Sequence, residues 1–396
     1  MSTPATLTGE RALHFEFASA GRILFGPGTL NEVGPHARAL GSKALLVTGK
    51  TRSRASRLEK TLSTHQVEVV RFAVEGEPTV GDVLKACGEA KAAGCNLVIG
   101  FGGGSAIDAA KGISALLANP GDPYDYLEVV GRGRPLLHPA LPCIAIPTTA
   151  GTGAEVTRNA VLASPAHGVK VSLRSPLMLP RLAIVDPELT YELPRALTAS
   201  TGLDALTQLI EPYVSSRANP LTDGFCLDGI RRVARSLEKA AARPIDTAAR
   251  EDMALASLLG GLSLANAGLG AVHGFAGPVG GSLDAPHGAV CAALLAPVIE
   301  ANIQALRLRA PTSPVLSRFR YIARLLTGKE DANPDAAASW VRGVTTRLEQ
   351  PRLRDLGVRH EHFPSLIDKA IQSSSMKANP IPLTAAELKG ILDKAW

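Results

Sequence analysis

Aromatic residues are scarce, at 4% of the 396 residues, and no two cysteines have the Cys-x-x-Cys spacing of a zinc ribbon or a redox motif. The five cysteines, Cys87, Cys95, Cys143, Cys226 and Cys291, are scattered and odd in number. That excludes a disulfide framework and leaves them as small buried residues. The formal charge of +6 is spread along the chain, with local excess only in "GKTRSRASRLEK" and "RFRYIAR". Nucleic-acid binders concentrate such charge and interleave it with aromatics, so no nucleic-acid partner is expected. No run reaches the ~18 uninterrupted apolar residues of a membrane span. The opening "MSTPATLTGERALHFEF" lacks a basic segment followed by an apolar one, so a cytoplasmic protein without a membrane partner is expected. There is no internal repeat and no low-complexity segment.

What is present is an ordinary globular balance, 45% hydrophobic and 20% charged, in a chain long enough for two cores. Up to about residue 190, short β-branched runs alternate with amphipathic ones. "KALLVT" (43–48), "VEVVRFA" (67–73), "NLVIGF" (96–101) and "CIAIPT" (143–148) read as buried strands, with "SRASRLEKTLSTH" and "VGDVLKACGEAKAAG" as helices between them. "VKVSLRS" and "RLAIVDPELT" read as a further pair of strands. From about 196 onward the spacing predicts helices over 198–217, 221–243, 247–268, 285–304, 314–328, 333–349, 363–372 and 384–395. The expectation is an α/β N-terminal domain (1–192) built on a doubly wound, Rossmann-like parallel sheet, followed by an all-α C-terminal domain (193–396). Chemistry belongs in the cleft between them.

Two glycine-rich turns follow strands. In "NLVIGFGGGSAIDAAKG", Gly102, Gly103, Gly104 and Ser105 precede a helix carrying Asp108 and Lys111. Consecutive glycines let backbone N–H groups approach an anion, and the helix N-terminus adds a favourable partial charge. In "IPTTAGTGAEVTRNAV", Thr148, Thr149 and Thr152 offer hydroxyls suited to a ribose, a phosphate or a nicotinamide amide. Open α/β sheets bind ligands at the carboxyl ends of their strands, so the two turns reinforce each other.

His273 and His287 lie fourteen residues apart. His273 is read as the end of one apolar helix and His287 as the start of the next, with a Gly/Pro-rich connection folding back between them. Each alone is an ordinary capping or packing residue. With Asp204 of "LDALTQLIE" they make an O,N,N set that a divalent metal can use. From spacing alone Asp204 is equally a residue of a helix's first turn, where the helix dipole favours a carboxylate.

Taken together, "EPT" (77–79), "GGGSAIDAAKG" (102–112), "PTTAGTGAEVT" (147–157), "VDPEL" (185–189), "GLDAL" (202–206), "HGFAGPVGG…PHG" (273–288) and "NPIPLT" (379–384) resemble the iron-containing (group III) alcohol dehydrogenases, in the right order along nearly the whole chain. The resemblance implies a dehydroquinate synthase-like two-domain fold, NADP or NAD, and Fe(II) or Zn(II). It implies hydride transfer between a small alcohol and its aldehyde or ketone, in a homodimer. Gly102, Gly103, Gly104 and Ser105 would hold the pyrophosphate. Asp108, Thr148, Thr149 and Thr152 would line the cofactor site, with Lys170 near the nicotinamide ribose. Asp204, His273 and His287 match three of the four usual metal ligands.

Three positions depart from the family pattern. Gln208 stands where the fourth ligand is normally histidine, leaving a weak or absent ligand, as in the three-ligand sites of glycerol dehydrogenase-like relatives. Gly277 stands where many relatives carry another histidine, so the proton would come through water or the cofactor ribose and the pocket would be larger, with Asn159 and Phe275 among its lining residues. Gly49 stands where NAD-preferring relatives often have aspartate. Its lack of a carboxylate, with Lys50, Arg52 or Arg54 nearby, implies acceptance of NADP. Rival readings are a metal-independent enzyme similar to maleylacetate reductases, a dehydroquinate synthase-like lyase, and a cofactor binder with little catalysis.

Overall fold

The computed structural model describes residues 14–167 and 169–396. The first part of the N-terminal stretch considered for a leader lies outside these residues, as does the side chain of Arg52. The strands are β1 (Ile23–Phe25), β2 (Lys43–Thr48), β3 (Glu68–Ala73), β4 (Leu97–Gly102), β5 (Cys143–Pro147), β6 (Asn159–Ser164), β7 (Val169–Arg174) and β8 (Leu182–Val185). Helices α1 (Val33–Leu40), α2 (Ser56–Thr64), α3 (Val80–Ala93) and α4 (Gly104–Ala118) are interleaved with them. After β8 come only helices: α5 (Arg195–Val214), α6 (Pro220–Ala242), α7 (Thr247–Ala267), α8 (Ala271–Leu283), α9 (His287–Arg309), α10 (Val315–Thr327), α11 (Asp335–Arg347), α12 (Phe363–Gln372) and α13 (Ala385–Ala395), with short 3-10 turns between some of them.

The main sheet has the order β1-β8-β5-β4-β2-β3 and every pairing in it is parallel. Alternation of side chains explains why its central strands read as continuous apolar runs. On β2, Leu45 and Val47 join the core shared with α3 and α4, whereas Ala44 and Leu46 join the core shared with α1 and α2. Each such fully buried Leu or Val contributes about 1.5–3 kcal/mol relative to exposure.

The two strands expected from "VKVSLRS" and "RLAIVDPELT" both form, as β7 and β8, but they join different sheets. β7 pairs antiparallel with β6, whereas β8 pairs with β5 and β1 in the main sheet. The reason is that β6, whose glycine- and threonine-rich approach masked it, supplies β7 with a closer partner. The hairpin leans on α3 through Ala163 N–H, which donates to Pro78 O at 2.8 Å.

The helical part has its own core, centred on α5 and α9 and closed by α6, α7, α10, α11 and α13. One helix, α9, is long and apolar enough to cross a membrane, and 78% of its apolar window is buried against its neighbours. The expected change at 192/193 falls between the 3-10 turn Pro187–Thr190 and α5.

One buried cation ties the first part together. The Lys111 ammonium, fully inaccessible, donates to Ala154 O at 2.8 Å and to Thr157 Oγ1 at 2.8 Å, and lies 2.9 Å from Asp108 Oδ1. The ammonium thus donates two hydrogen bonds and forms one buried ion pair. Asp108 Oδ2 in turn accepts from Val161 N at 3.1 Å, which fastens α4 to β6. Lys111→Met leaves the Asp108 carboxylate buried without its partner and is expected to cost about 3–5 kcal/mol. Urea unfolding should show a large drop in midpoint, and a shift within error would mean that the cluster is dispensable.

Candidate metal centre and cofactor cleft

The two glycine-rich turns meet at the ends of β4 and β5. Thr148 N donates to Gly102 O at 2.8 Å, locking the strand ends together. Helix α4 starts at Gly104 with Gly103 as its N-cap and no side chain closing the end, so the first N–H groups are free to face an anion. A Cβ on Gly104 would lie 2.9 Å from Thr152 Cγ2, so glycine alone lets the turns touch. Ser105 lies half-buried in the first turn of α4. Thr149 lies across from Gly103, where an added Cβ would sit 3.5 Å from Thr149 Oγ1. Gly153, at φ 59°, rests on α7: an added Cβ would come within 2.4 Å of Gly261 Cα. This contact sets the second turn against the helical part.

Asp108 sits on the same helix but turns inward, to Lys111 and Val161 N, with burial its chief perturbation. At the end of β2, Gly49 faces open space, and Lys50 Nζ lies 3.6 Å from Glu75 Oε2 on the exposed surface. Arg54 donates to Leu189 O at 2.9 Å and is already engaged. Lys170, on β7, pairs with Glu77 Oε1 at 3.1 Å and packs beside Gly280 of α8.

Asp204 lies well inside α5, nine positions after its first residue, so the reading of it as a first-turn residue fails. Asp204, Gln208 and Glu211 fall at i, i+4 and i+7 and share one buried face. His273 does not end the helix before it. The chain bends by 100° after α7 and starts a new helix, α8, which carries His273 in its first turn and runs through Pro278 to Leu283. Only Asp284–Pro286 then separates α8 from His287, the first residue of α9.

These three helices bring the side chains to one point. His273 Nε2 is 3.5 Å and His287 Nε2 is 3.6 Å from Asp204 Oδ1. Both separations exceed a good N–H···O hydrogen bond. They are close to the edge of a tetrahedron around a metal with bonds of about 2.0–2.2 Å, which is about 3.4 Å. Asp204 Oδ1 is buried without a hydrogen-bond partner, and so is Gln208 Oε1. An orphaned carboxylate oxygen beside two imidazole nitrogens fits a bound cation, because buried polar atoms otherwise find partners.

The charges agree. Burial would raise the Asp204 carboxyl, but His287, His273 and the Gln208 side-chain amide beside it hold it below its ordinary value. Burial would lower His273, but the neighbouring Asp204 and Glu211 carboxylates outweigh that and carry it up to about 9. His287 is lowered, by burial first. Glu211 was missed by sequence reasoning. Its Oε2 accepts from His273 Nδ1 at 2.7 Å, which turns the Nε2 lone pair toward Asp204, and its Oε1 accepts from Val272 N at 2.7 Å. Asn379 of "NPIPLT" acts alongside it: its Oδ1 accepts from Ala271 N at 3.1 Å. Together Glu211 and Asn379 close the N-terminus of α8. The signal available in advance was the i, i+7 spacing of Asp204 and Glu211.

Cys291 was read as packing only. It lies in the same cluster as Asp204, His273 and His287, with donor atoms all within 4.8 Å of one another. Phe275 does not line a pocket: it is fully buried in the helical core. Gly277 faces open space.

Residues 20–187 match the family described as iron-containing alcohol dehydrogenase, and residues 198–396 match the C-terminal family of Fe-containing alcohol dehydrogenases. The chain is 36% identical over 398 residues to 1,3-propanediol dehydrogenase of Klebsiella pneumoniae, covering 96% of this chain and 99% of that protein. It is 35% identical over 382 residues to alcohol dehydrogenase 4 of Schizosaccharomyces pombe, covering 94% and 87%. Among solved structures, a 1,3-propanediol oxidoreductase superposes with a TM-score of 0.88 at 36% identity, covering 97% of this chain and 100% of that one.

The raised His273 gives a pH test of the site. A histidine held above its ordinary 6.5 contributes stability that is complete below 6.5 and is lost as pH rises through about 9. Chelated protein should therefore lose stability between about 6.5 and 9, metal-loaded protein should not, and chelated His273→Asn should lack this loss. Identical pH profiles for the chelated protein and the variant would contradict the assigned contacts.

Proposed function

The chain belongs to the iron-containing alcohol dehydrogenase family, NAD(P)-dependent oxidoreductases that interconvert an alcohol and an aldehyde or ketone, and on that premise we propose that Asp204, His273 and His287 hold a divalent metal against the substrate oxygen. The observation that carries this is the unpartnered, buried Asp204 Oδ1 facing both imidazoles. When bound, the metal supplies Lewis acidity at the carbonyl oxygen and the reduced nicotinamide supplies hydride to the carbon. Glu211 keeps the proton on His273 Nδ1, so that Nε2 remains a ligand atom. Gln208 serves Asp204 through its amide and is, in this reading, an absent ligand.

The cofactor lies along residues 1–192, across the strand ends, and the metal and substrate belong to 193–396. Backbone N–H groups of Gly103, Gly104 and Ser105 receive the pyrophosphate at the uncapped start of α4. Thr148, Thr149 and Thr152 line the neighbouring turn. Lys170 stands by α8 for the nicotinamide ribose, its charge held by Glu77. Asp108 supports this loop from inside rather than touching the cofactor. Gly277 offers no side chain for proton transfer, so with the cofactor bound the proton would come through water or the cofactor ribose. The space there suits a small alcohol or aldehyde with room for a chain beyond the carbonyl. Five free thiols suit a reducing, cytoplasmic setting.

Metal identity, iron or zinc, is addressed by metal analysis of purified protein, with aldehyde reduction assayed before and after chelation. His287→Ala should lose bound metal and lower kcat/KM by about 100-fold or more. Full activity and metal content in that variant would remove His287 from the site. Activity indifferent to chelation would instead favour a metal-independent reductase similar to the maleylacetate enzymes, the reading that Gln208 keeps open.

Gly49 and Lys50 support use of NADP(H): no carboxylate on β2 repels a 2′-phosphate, and Lys50 can exchange its exposed Glu75 partner for it. Gly49→Asp fits without a clash. It should shift the ratio of kcat/KM for NADPH over NADH downward by about tenfold, roughly 1.4 kcal/mol. A hundredfold preference of the unaltered enzyme for NADH would overturn the assignment.

A further inference from the structure

We propose that Cys291 supplies the fourth protein ligand of this metal site, in place of the histidine that Gln208 replaces, and that its sulfur biases the site toward zinc over iron. The proposal rests on the reading that Asp204, His273 and His287 hold a divalent metal.

Cys291 follows His287 by four residues on α9, so the two side chains leave the same helix face one turn apart. Its Sγ is 3.6 Å from His287 Nε2, and its side chain is fully buried. A tetrahedral metal with a bond of about 2.3 Å to sulfur and about 2.05 Å to nitrogen sets those two atoms about 3.6 Å apart. The two Asp204 Oδ1 separations, 3.5 and 3.6 Å, are close to the corresponding oxygen–nitrogen edges. The four donor atoms lie mutually within 4.8 Å.

The α5 side of the site does not offer a fourth corner. Gln208 Oε1 is directed at α7, 3.6 Å from where a Cβ on Gly260 would stand, and has no partner there. Asp204 Oδ1, also without a partner, points at the cluster instead. The donor set is thus one carboxylate, two imidazoles and one thiol, drawn from α5, α8 and α9.

Charge and softness then set the preference. A carboxylate and a thiolate neutralise a divalent ion, whereas one carboxylate with three imidazoles leaves a net positive charge. Thiolate ligands suit zinc better than the N/O donors that iron and zinc accept alike. A thiol coordinated to a divalent cation gives up its proton to the cation's field. The substrate oxygen would enter as an additional, fifth neighbour.

The test is X-ray absorption of the full-length protein loaded with zinc, with cobalt substitution as a second readout. The expected result is one sulfur neighbour at about 2.3 Å and a thiolate-to-cobalt charge-transfer band. Both should be absent from Cys291→Ser and Cys291→Ala, which should bind zinc about 10–100-fold more weakly and lose their selectivity against Fe(II). The unaltered protein's spectrum decides even if both variants misfold. A zinc site with only nitrogen and oxygen neighbours would overturn the Cys291 assignment and leave the Asp204, His273 and His287 site standing, the thiol then being a hydrogen-bond donor to His287. Protein that takes up no metal at all would overturn both readings.

Discussion

The buried ammonium of Lys111 constrains more of this molecule than any other single group. A lysine enters a protein interior only if its charge is compensated, and here Ala154 and Thr157 accept hydrogen bonds from it while the Asp108 carboxylate pairs with its charge. Those partners come from the helix after the first glycine-rich turn and from the segment after the second. Fixing the ammonium therefore fixes one turn against the other, with Gly104 touching Thr152 as the result. The second turn in its turn is pressed on α7 through Gly153 and Gly261, so the placement of the glycine-rich turns passes directly into the helical part. Burial raises Glu155, which lies in the same segment, to about 7, and the Lys111 charge opposes that rise.

A second constraint acts from the other side of the cleft. Helix α8 begins at glycine and has no side-chain cap of its own, so its first N–H groups must be satisfied from elsewhere. Glu211 from α5 and Asn379 from the segment before α13 do so. Since Glu211 also holds His273, the group that closes the helix end is the group that aims the imidazole. Fold and site share this carboxylate: the packing of α8 on α5 cannot change without turning His273 away from Asp204.

Of the three departures from the family pattern, Gln208 and Gly277 sit on α5 and α8, which meet α9 at the Asp204, His273 and His287 cluster, and Gly49 sits at the end of β2. The surrounding framework of buried strands and helices is undisturbed. Loss of one imidazole on α5 is accompanied by a sulfur on α9 within the same cluster, and loss of a side chain at 277 leaves open space.

Much of this was legible beforehand, because short-range chemistry writes itself into the order of residues. Buried parallel strands need continuous apolar runs, helix ends need glycine, proline and capping side chains, and a phosphate cradle needs glycine between a strand and a helix. β2, β4, the two glycine-rich turns and α5 were all readable on those grounds, and the run of family motifs identified Asp204, His273 and His287. The break between α7 and α8, the pairing of β7 with β6, and the burial of Phe275 were not readable, since each depends on which distant surface is available to pack against. The same holds for Glu211, Asn379 and Cys291. Their side chains are common core and capping residues in sequence, and only the meeting of α5, α8 and α9 decides which donor atom faces which. Sequence determined the types of group the site has to work with; tertiary structure decided their distances, because burial and unpaired charge are properties of neighbours brought together across the chain.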